Sequence, residues 1–337
     1  MSIARFRSKG VALITALLVT SIATLTAVSM ASRQFVDVRR TGNMLEADQA
    51  YVYTLGIETV AIQLLSKYSS EYGYDDQELM YVPYTFPVEG GVVSGILQDM
   101  EALFNVNSLM TSDDKPNKTQ IAKFERLLTY VLEAMDEDAG RAKELSNAIV
   151  DWIDGNEEVS FPGGAEDSSY LSLDIPYRAA NRLMVSPSEM LLIEGFNREI
   201  LYGKTIDEEK IPGLLQYVTA LPQTIADINV NSASVEVLLS LSKLFDRKII
   251  EDMIASRPFK ELSEFKQHEA LDQLTKDERS QLNRDIAQGL TVASRYLTVQ
   301  ATGQVGRANV QLSSLIYRVA GGGKIFAVSR TQGTGGL

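Results

Sequence analysis

The first part of the chain contains an apolar segment that lies between two groups of basic residues. Residues 11–32 include no charged side chain, while Arg5, Arg7 and Lys9 precede the segment and Arg33 follows it. A helix needs about 20 apolar residues to cross the hydrocarbon core of a bilayer. The pattern therefore predicts a transmembrane helix whose basic amino end stays in the cytoplasm. A secretory signal peptide has a shorter core followed by a cleavage site, whereas here the helical pattern continues without a break.

The helical spacing of apolar residues continues over residues 33–68. The apolar positions are Met44, Tyr51, Leu55, Ile62 and Leu65. Charged residues between them supply polar faces, as in an amphipathic helix. Two interpretations stay open: a helix that packs on its own domain, or a stalk that also packs against other copies in a filament.

Strand patterns lie on both sides of a long helical region. Strand patterns at residues 80–86 and 91–97, with Gly90 and Gly91 at the turn between them, predict a β-hairpin. A helical pattern from Leu103 to about Leu290 follows. Further strands are predicted at residues 296–301, 308–319 and 325–329, with glycines 321–323 in the last turn. The glycines before Lys324 lack the spacing of a phosphate loop. The chain is therefore predicted to be an α+β protein, with one antiparallel sheet domain that a large all-helical insertion interrupts.

The insertion contains a repeated phrase. Residues 104–109 read Phe-Asn-Val-Asn-Ser-Leu, and residues 228–233 read Ile-Asn-Val-Asn-Ser-Ala. Asn and Ser after a short extended piece are good helix N-caps, so each phrase is predicted to begin a helical subdomain. The expected segments are a leader (1–10), a transmembrane helix (11–32), a stalk (33–68), a sheet domain (77–102 and 291–330), two insertion subdomains (103–212 and 213–290) and a flexible tail (331–337).

Composition excludes several kinds of site. The net charge is −12, which argues against a general electrostatic grip on nucleic-acid phosphates. The chain has no cysteine, so it has no disulfide, thiol nucleophile or Cys-ligated metal. His268 is the only histidine, which excludes multi-histidine zinc sites. Any bound metal would therefore be a hard cation held by oxygen ligands.

The densest group of polar residues lies between residues 151 and 170. It contains the candidate ligands Asp151, Asp154, Asn156, Glu166 and Asp167, together with glycines that let the chain bend. Several carboxylates near free loop carbonyls suit calcium, which takes six to eight oxygen ligands. The spacing is not that of an EF-hand, and a solvated acidic loop is the competing interpretation. A glycosidase with paired carboxylates is a further alternative, although no binding cleft is predicted.

Residues 228–262 resemble a helix-hairpin-helix or SAM-like module. In DNA-binding examples a glycine-rich hairpin presents backbone amides to phosphate. Here the hairpin, residues 242–247, reads Ser-Lys-Leu-Phe-Asp-Arg and has no glycine. We interpret it as a packing module, with DNA binding kept as the alternative.

Taken together, these segments resemble the minor pseudopilin K family of the type II secretion system. The resemblance rests on the leader ending in Gly10, the uncharged helix, residues 49–65, the Asn-Val-Asn phrases, the acidic block, the Pro-Tyr-Arg-Ala-Ala-Asn segment at 176–181 and residues 188–190. It covers nearly the whole chain in the same order.

The resemblance implies how the chain would be processed and assembled. Prepilin peptidase would cleave after Gly10 and leave Val11 as the methylated first residue. The folded domain would be periplasmic, anchored in the inner membrane by one span in contact with lipid. Its partners would be the minor pseudopilins I, J and H at the tip of the pseudopilus, and no nucleic acid. The family also binds calcium in its helical domain, which favours a structural calcium site in the acidic block.

One residue that bears on the resemblance lies in the membrane helix. Most pilins carry Glu at the fifth mature position, which pairs with a neighbouring subunit, whereas this chain has Thr15 there. An unpaired carboxylate in lipid is costly, while Thr can return its hydroxyl to a helix carbonyl. The absence of this glutamate is characteristic of the K family and is consistent with a subunit at the tip. A non-enzymatic assembly protein is therefore expected; a DNA-uptake protein and a membrane-anchored hydrolase are the rival classes.

Overall fold

A computed structural model describes residues 8–72, 80–224, 227–319 and 324–333. The helices are α1 (Ser8–Tyr72), α2 (Lys118–Ala134), α3 (Ala142–Ile153), α4 (Asp167–Tyr170), α5 (Arg198–Tyr202), α6 (Val235–Ser240), α7 (Arg247–Ala255), α8 (Leu262–Lys266) and α9 (Lys276–Asp285). The strands are β1 (Tyr84–Val88), β2 (Gly91–Asp99), β3 (Phe104–Asn105), β4 (Gly203–Ile206), β5 (Glu209–Pro212), β6 (Val218–Thr219), β7 (Ile228–Asn229), β8 (Leu290–Thr291), β9 (Tyr296–Val305), β10 (Ala308–Arg318) and β11 (Ile325–Gln332).

Helix α1 joins the predicted transmembrane and stalk segments into one continuous helix of 65 residues. In its first part the apolar side chains are exposed; Val11, for example, is 62% exposed. In its second part Ala50, Ile57 and Leu65 are buried against the sheet. Their spacing of seven and eight residues keeps them on one helical face. One helix is thus both an uncovered apolar rod and part of the core of its own domain.

The main sheet is antiparallel in the order β1-β2-β9-β10-β11. Its strands come from both ends of the folded region, as the sequence predicts. Helix α1 lies close to the sheet because glycines face it. A Cβ on Gly95 would lie 2.2 Å from Cγ2 of Ile57, and one on Gly303 would lie 2.7 Å from the Ala50 carbonyl oxygen. The absence of these side chains permits the close contact.

The ends of the predicted strands shift by several residues. Strand β1 begins at Tyr84 rather than at residue 80. Strand β11 extends to Gln332 and pairs with β10, so residues 331 and 332 belong to the sheet and not to the tail. Most of the leader, residues 321–323 of the last turn and residues 334–337 of the tail lie outside the described residues.

The insertion is mainly helical, but the expectation of an all-helical insertion is wrong. Strands β4 and β5 form a hairpin whose two loop residues, Asp207 and Glu208, both have positive φ. Positive φ at both positions is the backbone conformation of a type I′ turn. The sequence does not predict this turn, because it has Asp-Glu here and not the usual Asn-Gly. Buried side chains from Phe104 to Leu290 form one continuous hydrophobic cluster. The division into subdomains at residue 212 stays a prediction.

The two Asn-Val-Asn phrases have equivalent structural roles. Each phrase begins with a two-residue strand in a parallel pair, β3 with β6 and β7 with β8. The second asparagine of each phrase is buried and bonds to distant backbone: Asn107 to Met184 and Leu221, and Asn231 to Phe259. Long helices do not start at the phrases. A side-chain amide can donate and accept at once, so it substitutes for a backbone partner where two segments meet.

Candidate metal centre in the acidic loop of the insertion

The candidate site begins at the carboxyl end of α3. Asp151 lies in the last turn of the helix and is fully buried, and Asp154 is the C-cap residue with an extended backbone and 2% exposure. The three-residue spacing brings the two carboxylates near each other. Because like charges repel, the negative charge of Asp151 contributes to the raised pKa of Asp154.

The loop after α3 folds back over Asp151. The backbone amide of Ser160 donates to Oδ2 of Asp151 at 3.0 Å. A Cβ on Gly164 would lie 2.2 Å from Oδ2 of Asp151, so only glycine fits at this approach. The loop therefore encloses the Asp151 carboxylate, and burial raises the pKa of Asp151 despite the hydrogen bonds from Ser160 and Ala165.

Glu166 is the least satisfied carboxylate in the site. It is 2% exposed, and neither of its oxygens has a hydrogen-bond partner among the described residues. Burial first, and then the charges of Asp151, Asp154 and Asp167, raise the pKa of Glu166 to about 7. Burial likewise raises the pKa of Asp154 to about 6. These buried carboxylates have no cationic partner in the described part of the chain. A bound divalent cation would stabilise their ionised forms.

Asp114 also faces this site, although sequence reasoning did not predict it. Its Oδ2 accepts from the Gly155 amide at 3.2 Å, and its charge contributes to the raised pKa of Asp154. Asp114 lies in a tight turn with a φ of 56°. Its distance in sequence from the acidic block left no spacing signal that could have identified it.

The other two predicted ligands are engaged elsewhere. Asn156 accepts from the Glu158 amide at 2.7 Å, so its carbonyl oxygen stabilises its own loop. Asp167 uses both oxygens, one on the Ala179 amide and one on Arg178, each at 2.9 Å. Of the five predicted residues, the structure brings Asp151, Asp154 and Glu166 together.

The donor chemistry of this site fits calcium. Its side chains offer oxygen ligands only, and the unpartnered Glu166 carboxylate supplies the clearest free donor. Among the described residues, no three His, Asp or Glu side chains are already arranged to hold one metal ion. Backbone carbonyls or water would therefore have to complete the coordination, as they commonly do for calcium.

Aromatic residues form the apolar floor of the site. Trp152 is 3% exposed and belongs to the hydrophobic core of the insertion. Its ring meets Tyr170 edge to face at 5.3 Å, and Tyr170 stacks on Tyr177 at the same centroid distance. This packing attaches α4 and the chain after it to the end of α3.

Residues in and beside the predicted hairpin, 242–247, form hydrogen bonds to other elements of the insertion. Arg126 of α2 donates to the Ser240 and Leu241 carbonyls, and Ser242 donates to Asp285 of α9. His268 caps the short 3₁₀ helix Glu269–Leu271, and its other ring nitrogen is 2.9 Å from Oγ of Ser256. These residues join elements of the insertion to one another.

The membrane-facing part of α1 is apolar on all sides. Among the described residues, one helix is long and apolar enough to span a membrane. The most apolar part of this helix is not buried by the rest of the described chain. The Thr15 hydroxyl donates to the Val11 and Ala12 carbonyls at 3.0 Å. The hydroxyl is therefore satisfied within the helix, as expected for a threonine in lipid.

Comparison with known proteins agrees with this architecture. The family model described as type II secretion system protein K matches residues 102–223. The chain is 30% identical over 341 residues to type II secretion system protein K of Pseudomonas aeruginosa, covering 97% of this chain and 94% of the relative. It is 29% identical over 330 residues to the Aeromonas hydrophila protein of the same name, with 93% of each chain covered.

A solved structure has the same fold. It is a chain of the GspK-GspI-GspJ complex from the type 2 secretion system of enterotoxigenic Escherichia coli, with a TM-score of 0.70 and 24% identity. The match covers 88% of this chain and all of the other. With the near full-length match to the Pseudomonas aeruginosa protein, the resemblance stated from the sequence is confirmed: this chain belongs to the type II secretion system protein K family.

Proposed function

We propose that this chain is the minor pseudopilin K of a type II secretion system, acting at the tip of the pseudopilus to promote its assembly and the export of folded proteins across the outer membrane. The observation that carries the proposal is the double role of α1. Its first part presents apolar side chains on all sides, and its second part is built into the sheet domain. A force on the membrane helix is thereby transmitted directly to the folded domain.

The proposed partners are the minor pseudopilins I, J and H. The likeness of this chain to one from a GspK-GspI-GspJ complex supports I and J. H follows from the family resemblance alone. The chain would bind these partners through the stalk and sheet and would have no catalytic role.

The partner proposal is tested by co-purification. Residues 33–337 are mixed with the soluble domains of I and J, together and singly. We expect a stable complex of the three on size-exclusion chromatography. The single mixtures serve as controls that identify which partner this chain contacts. Failure to form any complex would contradict the tip assignment.

We also propose that prepilin peptidase cleaves the leader after Gly10 and that Val11 becomes the methylated amino terminus. The basic leader, retained in the cytoplasm, would place the sheet and insertion in the periplasm. Gly10→Val should leave the precursor uncut and impair secretion. Gly42→Val is the matched control, since Gly42 lies on the same helix with no heavy atom within 4 Å of an added Cβ. Normal processing of the Gly10 variant would disprove this assignment.

A structural calcium ion is the third part of the proposal. Asp151, Asp154 and Glu166 would hold it, with Asp114 near by. When bound, the ion would neutralise the buried carboxylates and tie the loop to the end of α3. Trp152, the only tryptophan, adjoins Asp151 in the chain, so terbium in place of calcium should show sensitised luminescence. An unchanged thermal melt in EGTA, together with no terbium signal, would contradict the calcium site.

A further inference from the structure

A second polar cavity lies away from the acidic loop, between the start of α2 and the segment that follows α9. Its volume is about 350 Å³. Thr119, Gln120 and Lys123 line it from α2, and Arg284 and Asp285 line it from the end of α9. Spacings of three and four residues place the α2 side chains on one face of the helix.

Lys123 is an unusual residue in this cavity. It is 2% exposed, and no hydrogen bond or ion pair joins its ammonium group to any described residue. Burial, and then the charge of Arg126, lower the pKa of Lys123, while the charge of Asp285 acts in the opposite direction. An ammonium group is rarely buried without a partner, because desolvation is costly.

The carboxylates that line the cavity are engaged with other groups. Asp285 accepts from Ser242 at 2.5 Å and from Gln281 at 2.7 Å. Asp227 accepts from Arg295. Lys123 thus lacks the ion pair that either carboxylate could have supplied.

Arg284, the second cation of the cavity, is exposed to solvent, unlike Lys123. Arg284 donates to the side-chain oxygen of Gln281 at 2.6 Å, and no ion pair joins it to a carboxylate of the described chain. The cavity therefore contains two cations that form no ion pair within the described chain. Asp227 is paired with Arg295, whereas Asp285 keeps its charge and bonds to neutral side chains.

The amino end of α2 adds backbone donors to the same cavity. Asn117 caps the helix by accepting from the Gln120 amide. Thr119 lines the cavity, and its amide belongs to the first turn, where amides have no acceptor within the helix. The first turn also carries the positive end of the helix dipole, and α2 is 17 residues long.

We propose that this cavity binds a small oxyanion, a phosphate or a carboxylate, between Lys123, Arg284 and the first turn of α2. The bound oxyanion would supply the ion pair that Lys123 lacks. It would also link the first helix of the insertion to its last one. A cation is disfavoured because Lys123 and Arg284 outnumber Asp285, the one lining carboxylate that forms no ion pair with a described residue.

The test uses the full chain purified in detergent. Inorganic phosphate and acetate are titrated separately at constant ionic strength against chloride, with isothermal calorimetry and thermal melting as readouts. We expect saturable binding of one of them near one per chain and a rise of about 2–4 °C in melting temperature. Phosphate binding assigns a phosphate site, and acetate binding assigns a carboxylate site.

Variants of α2 identify the residue responsible. Lys123→Met keeps most of the length of the side chain but removes its charge, so binding should be lost. Without anion, this variant should melt above the wild type, because the buried unpaired charge is gone. Lys118→Met is the matched control on the same helix, exposed to solvent, and should retain binding.

Two results would overturn the proposal: no saturable response of the wild type to either anion, or an equal response of wild type and Lys123→Met. If Lys123→Met does not fold, Arg284→Gln decides. A loss of about tenfold in affinity supports the site, and an unchanged affinity rejects it.

Discussion

Glu166 and Asp167 are adjacent in sequence but have opposite environments. Asp167 accepts from Ala179 and Arg178, whereas the buried oxygens of Glu166 have no partner among the described residues. Burial therefore raises the pKa of Glu166 to about 7, from an ordinary value near 4.5. The folded protein holds this proton more tightly than the unfolded chain, so its stability falls as pH rises from about 4.5 to about 7.

This asymmetry predicts the effect of Glu166→Gln. In EGTA, wild type and variant should melt together below about pH 3.5, where the carboxyl is protonated in both the folded and the unfolded state. At pH 8 the variant should melt higher by about 2–4 °C, because it has no buried charge. Thermal melts across this pH range provide the measurement. Glu158→Gln, an exposed change in the same loop, is the control. A constant difference at all pH values would show that charge is not the cause.

A second residue-scale prediction concerns Gly164. Gly164→Ala would place a Cβ 2.2 Å from Oδ2 of Asp151 and 2.4 Å from the Ser160 carbonyl oxygen. We expect a loss of about 2–4 kcal/mol in the free energy of unfolding, measured by urea denaturation. Gly56→Ala is the contrasting control on the exposed face of α1, with no heavy atom within 4 Å. That change should stabilise α1 by about 0.5–1 kcal/mol. Equal effects at the two glycines would refute the packing argument.

At the scale of elements, an ion pair attaches the last strand to the long helix. Arg330 of β11 donates to both oxygens of Glu58 on α1, each at 2.7 Å. Glu58 is 5% exposed, and the hydrogen bond from Arg330 holds its pKa below the ordinary value. A bidentate pair with one buried partner is stronger than an exposed one. It fixes the edge of the sheet to the stalk.

Removal of this pair should weaken the attachment of β11. Glu58→Gln is expected to cost about 1–3 kcal/mol in the free energy of unfolding at pH 7. Because the pKa of Glu58 is lowered in the folded state, this contribution should disappear as pH falls through that pKa. Glu251→Gln, which breaks an exposed pair with Arg247 at 3.8 Å, should cost about 0.5 kcal/mol or less. Hydrogen exchange at β11 amides would show whether the loss is local. Unchanged exchange there would contradict the attachment.

At the scale of the whole molecule, α1 belongs to two environments. Its apolar first part is uncovered, and its second part is a layer of the sheet domain. Thr15 lies in the first part and bonds only to its own helix. Nothing at this position requires a partner subunit, which is consistent with the proposed place at the end of a filament.

A carboxylate at this position should therefore be harmful. Thr15→Glu would place an unpaired charge in lipid, at a cost of up to about 3 kcal/mol on insertion scales. We expect less of the chain in the membrane fraction and reduced secretion. Thr15→Val is the control and should act like wild type, because the hydroxyl serves only its own helix. Normal insertion and secretion by the Glu variant would indicate that a partner neutralises the charge, contrary to the tip position.

Local sequence patterns predict the membrane helix, the strands of the main sheet and the acidic residues at the end of α3. These features depend on local periodicity, turn residues and hydrophobic length, all of which are readable along the chain. Asp151, Asp154 and Glu166 were identifiable because they lie within one short segment.

Which polar groups find hydrogen-bond or ion-pair partners is visible only in the folded chain. Asp114 joins the acidic site from 41 residues away, and Lys123 is left without an ion pair because the nearby carboxylates bond elsewhere. The Asn-Val-Asn phrases pair with strands 62 or more residues further along the chain. Burial and hydrogen bonding depend on contacts between distant segments, and a linear pattern of residue types does not encode which of those contacts form.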